Sequence, residues 1–192
     1  MFTIRCRLDA IDALRQAQMD QFTRAETAAF HGRKILEAVA FGCLVALENG
    51  IKHIPRDAKG QWNAEVIFNS LRRKRIVTLP SPSVFRAASR EEAETSNVKA
   101  TIVGVVERRM THDELITSYQ GMHRWLHELN PYTQDNRTTF CSKHEVVLWR
   151  DLERLKRFVE VHVISISGQG FFCTLKDSVD GQTKVVPISR AI

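Results

Sequence analysis

From Ile35 to Leu47 the chain is apolar almost without a break, Glu37 being the one charged residue in the run. A helix with no polar side must be surrounded by protein, so this stretch predicts the central helix of the fold and obliges other elements to wrap around it. The helical pattern runs from Arg24 to Glu48, and Asn49-Gly50 supplies the stop, since glycine reaches the left-handed conformation that satisfies a helix's last carbonyls. The uninterrupted part, Ala38 to Leu47, is too short to cross a bilayer, which takes roughly 20 residues.

Upstream, Leu8, Ile11, Leu14 and Met19 recur at roughly helical spacing and predict a helix from about Arg5 to Phe22. Beyond a polar turn at IPRDAKG, Trp62 to Lys74 predicts another, with Asn63 as its cap and Val66, Ile67 and Leu71 on one apolar face. Residues 78–97 turn to Pro, Ser, Arg and Glu, poor material for burying apolar surface, and are expected to form a mobile connection. Val98 to Val106 is rich in β-branched residues and predicts a strand. Thr111 and Glu114 then match a capping box, and Leu115, Tyr119, Met122, Leu126 and Leu129 make a buried stripe on a helix ended by Asn130-Pro131.

A further helix from about Ser142 to Val159 turns Leu148, Leu152, Leu155 and Val159 inward. VHVISIS, FFCTLK and TKVVPIS, separated by glycine-bearing turns, predict an antiparallel meander, with Pro187 at an edge because it cannot donate to a ladder. The fold class is therefore α+β: a helical bundle with a small C-terminal antiparallel β-meander. A chain of 192 residues suits one domain over 1–192, helical to about 158 and β from about 159 to 192.

The four cysteines, Cys6, Cys43, Cys141 and Cys173, are scattered and form no CxxC pair, as expected of reduced thiols in a cytoplasmic protein. The N-terminal stretch is charged from Arg5 onward and has no apolar run resembling a signal peptide, so neither secretion nor membrane association is expected. A net charge of +6 attracts polyanions such as nucleic acid.

Groups able to handle a proton or a phosphate cluster in one place, where His123, Arg124, His127 and Asn130 fall on the helix that begins at Thr111. His123 and His127 are spaced i, i+4 and share a side of that helix. The pair could hold a metal with a third ligand such as His112 or His144, but Arg124 stands where the metalloprotease HExxH motif has its glutamate, and an adjacent cation opposes a metal. The metal-free reading makes His127 a general acid or base beside His123, with Arg124 holding a phosphate and Asn130 orienting one of them; no metal and no cofactor is expected. RNA suits such a site, because its own 2′-hydroxyl is the nucleophile. Against it stands a plain reading of both histidines as half-buried boundary residues.

Two basic groups are candidate nucleic-acid contacts. The run Arg72, Arg73, Lys74 and Arg75 is either a phosphate patch or cations favoured at a helix C-terminus. Arg150, Arg154 and Arg157 form either a phosphate track or a solvated face paired with Asp151 and Glu153.

The helix RKILEAVAFGCLVALENG and the later YQGMHRWLHELNPY together resemble bacterial helical proteins of the abortive-infection and HEPN type, over roughly residues 24–158. Many HEPN members are metal-independent RNases, and others act by binding. The motif of that superfamily, Arg followed after four to six residues by His, is matched at Arg24 with His31 and at Arg137 with His144; His127 has no arginine at that distance upstream. The resemblance implies a bacterial defence or toxin-type protein acting on RNA. The alternative is a non-enzymatic interaction or regulatory module, and a protein partner or a homo-oligomer fits either.

Overall fold

The computed structural model describes residues 1–49, 53–96, 98–129, 132, 136–166 and 168–188. Six α-helices and five strands are formed among them: α1 (Phe2–Gln16), α2 (Gln21–Glu48), α3 (Ala64–Arg73), β1 (Ser81–Ala87), α4 (Arg90–Ser96), β2 (Ala100–Gly104), α5 (His112–Arg124), α6 (Arg137–Val159), β3 (Val161–Ile166), β4 (Gln169–Thr174) and β5 (Lys184–Ile188). This is the α+β architecture the sequence predicts.

The apolar helix α2 is central: α1, α3, α5, α6 and β3 all lie against it. Asp20 starts it by accepting from the Thr23 amide at 2.9 Å. Ala25, Ala28, Ala29, Ile35, Leu36 and Ala40 are sealed from solvent along its length. Gly32 marks the closest approach of three helices, because a Cβ there would sit 2.7 Å from Met122 Sδ on α5 and nearer still to Leu152 on α6. Around this axis α3 packs Ile67, Phe68 and Leu71, and α6 packs Leu148, Leu152, Leu155, Phe158 and Val159. Each such side chain contributes about 1.5–3 kcal/mol by leaving water. Glu37, the break in the run, is tolerated because Arg33 (3.1 Å) and Lys34 (2.6 Å) on the preceding turn pair with it.

Three expectations need correction. The segment 78–97 is not a bare connection, for it holds β1 and α4. β1 pairs with β2 on one side and β3 on the other, so the antiparallel sheet has five strands in the order β2-β1-β3-β4-β5 and the C-terminal meander is only three of them. Polar Ser83 is buried there because its hydroxyl donates to the Ser81 carbonyl at 2.9 Å. A short S-x-x-E capping motif, Ser89 with Glu92, then starts α4, and Glu92 also receives two hydrogen bonds of 2.8 Å from Arg86.

Secondly, α5 begins with the predicted capping box but stops at Arg124. The Trp125 and Leu126 amides bond back to Met122 and His123 as the helix tightens, and Trp125, only 2% exposed, swings in against Phe22 and Phe140. Trp125 therefore fills the place predicted for Leu126 and Leu129, both only half-buried; the expected stop at Asn130-Pro131 lies outside the described residues. Thirdly, Met19 is exposed between α1 and α2 and is not part of a helical stripe. Pro187 does lie on an edge strand, β5, and Gly168 and Gly181 occupy turns with φ of 80° and 66°.

Candidate functional site

α5 lies across α2 so that its C-terminal turn meets the stretch of α2 around Glu37. There the histidines join a chain of hydrogen bonds. Arg33 of α2 donates through Nη1 to His123 Nδ1 at 2.9 Å and through Nε to the Tyr119 hydroxyl and to Glu37, each at 3.1 Å. His123 Nε2 and His127 Nε2 are 3.0 Å apart, and the Tyr119 ring stacks on His123 at an interplanar angle of 11°.

Arginine can only donate, and that fixes the protons of both rings. His123 accepts at Nδ1, so in its neutral form it carries hydrogen on Nε2 and donates it to His127; His127 accepts at Nε2 and carries its own hydrogen on Nδ1. Burial beside Tyr119 holds the His123 imidazole below its ordinary value, and the Arg33 and His127 charges push the same way, so His123 is neutral at pH 7. His127 is exposed. The pair thus presents a basic nitrogen next to a polarised N–H donor, both reachable from solvent.

Arg124 takes no part in this arrangement. It is exposed on the side of α5 that faces α6, where it lines a cavity of about 60 Å³ with Trp125, His144 and Asp151. The predicted quartet is therefore divided: His123 and His127 come together, Arg124 turns to the next seam, and Asn130 lies outside the described residues. Arg33 occupies the cationic position expected of Arg124. His112 stands against Phe68 and His144 against Phe140, and among the described residues no three metal-ligating side chains converge.

All but one of the predicted nucleic-acid contacts carry an acidic partner. Arg72 pairs with Asp113, Arg73 with Asp57 at 2.6 Å and Lys74 with Asp57 at 3.5 Å, while Arg75 takes a left-handed φ of 52° just past α3. On α6, Arg150 pairs with Asp151 at 3.4 Å, Arg154 with Glu114, and Arg157 with Glu153 at 3.1 Å; with Arg108 and Glu107 these arginines border a shallow groove. The charge there is largely compensated, as on a solvated helix face.

Nor do the Arg–His matches at Arg24 and Arg137 form pairs of their own, and a third in the chain, Arg157 with His162, is divided too, Arg157 pairing with Glu153 and His162 lying buried against the Val159 carbonyl. Arg24 pairs with Glu145 at 3.3 Å and His31 lies 3.2 Å from Arg7, while Arg137 sits over the Phe22 ring and His144 lines the Arg124 cavity. Arg33, Glu37 and Tyr119 are the site residues that sequence reasoning missed. The available signal was Glu37, a lone carboxylate in an apolar helix that calls for a cation one turn away. Compared with family models, with curated proteins and with solved structures, the chain matches none.

Proposed function

We propose that the protein acts on RNA as a metal-independent endoribonuclease of the defence or toxin type, with His127 as its catalytic residue. The observation that carries this reading is the His127–His123–Arg33 chain, in which each proton has one place. A 2′-hydroxyl arriving at His127 Nε2 replaces the His123 N–H as the donor to that nitrogen. His127 then takes the hydroxyl proton as the 2′-oxygen bonds to phosphorus, and returns it to the 5′-oxygen as the P–O5′ bond breaks. The freed His123 N–H, polarised by Arg33 behind it, donates to the non-bridging oxygen where negative charge grows. The products are a 2′,3′-cyclic phosphate and a 5′-hydroxyl, and the water and metal requirements of hydrolysis do not arise.

The test is cleavage of a labelled RNA beside the same strand carrying 2′-deoxy residues at the cut positions. Cyclic-phosphate ends from the first and none from the second support the reading; equal cleavage of both removes the 2′-hydroxyl from the mechanism.

A second reading, a non-enzymatic interaction module, is favoured by one feature. The sheet face turned away from the helices exposes Phe85 and Val186 beside Ile102 and Phe172. It predicts association with a protein that salt leaves unchanged, whereas phosphate contacts weaken steeply with salt.

A further inference from the structure

The central helix is not covered all round. A line of α2 residues keeps part of its surface in solvent: Lys34, Ala38 and Phe41 are half-buried, and Val45 and Glu48 are exposed, Val45 by 56%. Their spacing is four, three, four, three, the heptad rhythm of a helix seam that takes another helix. Backbone is bare beside it, since a Cβ added at Gly42 would meet nothing within 4 Å. Trp62, 83% exposed, stands edge-on to Phe41 at 6.3 Å and extends the apolar strip. Composition calls for a helix wrapped in protein, and the chain itself supplies only part of the wrapping.

We infer that a second copy of this chain supplies the rest, the two α2 helices crossing antiparallel about a two-fold axis at Phe41. Charge chooses this occupant. Lys34 lies seven residues before Phe41 and Glu48 seven after, on the same face. In the antiparallel pairing Lys34 of one copy meets Glu48 of the other, and symmetry makes the contact twice. A parallel pairing would set lysine against lysine. Within its own chain Glu48 has no ion-pair partner among the described residues, while Lys34 leans on Glu37 at 2.6 Å. Ala38 and Gly42 let the two backbones approach, and each Trp62 flanks the crossing. From Lys34 to Glu48 the seam is about 21 Å long at 1.5 Å per residue.

The experiment is sedimentation of the full chain from about 1 to 100 µM, with circular dichroism to confirm that each variant is folded. The wild type is expected to dimerise, and Val45→Glu, which adds an acid opposite the other copy's Glu37, is expected to weaken association at least about tenfold. Lys34→Glu alone and Glu48→Lys alone should each weaken it about fivefold to tenfold, and the double variant should recover to near the wild-type value. A monomer across the whole range overturns the inference. So does a dimer indifferent to Val45→Glu, which would place the contact on another surface such as the open sheet face, and so does a double variant no better than the single ones.

Discussion

Acid should loosen the junction between the helices and the sheet, and His162 sets how steeply. This residue, 2% exposed, is the second of β3, and its Nδ1 lies 2.9 Å from the carbonyl oxygen of Val159, the last residue of α6. A carbonyl only accepts, so Nδ1 carries hydrogen and the ring is held in one neutral form. Burial pushes its pKa down to about 4 from an ordinary 6.5, the Val159 bond opposing and the N-terminal amine adding slightly. Between those two values the unfolded chain binds a proton that the folded chain refuses. The stability is fully present above pH 6.5 and is lost as pH falls toward 4, by about 3 kcal/mol over the window. His31, His112 and His123 are also held low, each chiefly by burial, and add slope of the same sign. His162→Gln isolates the one residue, because it cannot titrate while every other group is shared. Urea unfolding, followed by tryptophan fluorescence and helical dichroism at steps from pH 7 to 4, should show the wild type losing about 3 kcal/mol more than the variant. Equal losses in the two proteins would refute the assignment of His162 as a buried, neutral ring.

Three further outcomes are expected. Gly32→Val should cost about 1–3 kcal/mol, read in the same urea assay, because its side chain must displace Met122 and Leu152 in a filled core. Trp125→Ala should cost about 3–5 kcal/mol while Trp62→Ala changes stability by under about 0.5 kcal/mol, the first ring being enclosed and the second open to water. Arg33→Met should raise the pH at which His123 titrates, and nitrogen-detected NMR should show its ring no longer confined to the Nε2–H tautomer; an unchanged titration would deny the Arg33–His123 bond.

What could be read from sequence is what is local. One-sided burial writes itself into helix spacing, so α3 and α5 are legible with their caps, Asn63 and Thr111, whereas α6 is legible only by its inward stripe and starts at Arg137, capped by Asn136, a turn and more before the expected Ser142. β1 was not, because Ser81, Pro82 and Ser83 make a strand only when β2 and β3 lie alongside, and those partners are 21 to 82 positions away. α4 did carry a readable sign in Ser89 and Glu92. The early end of α5 goes with tertiary packing, since its C-cap residue Trp125, backbone still helical, fills the space between Phe22 and Phe140. The site followed the same division. His123 and His127 were found as neighbours one turn apart, whereas Arg33, 90 positions upstream, is joined to them only by the crossing of α2 and α5. Arg124, adjacent in sequence, is turned away by a step of about 100° around the helix.

We propose that His127, held by His123 and Arg33, moves a proton for RNA cleavage. The most direct measurement is incubation of the purified chain with a mixed, end-labelled RNA pool, with and without chelator, beside His127→Ala. Cleavage is expected to survive chelator and to fall about 10²–10⁴-fold in the variant, the usual share of a general acid–base group, at unchanged folding stability. RNA left whole by the wild type, or cut equally by the variant, would contradict the proposal.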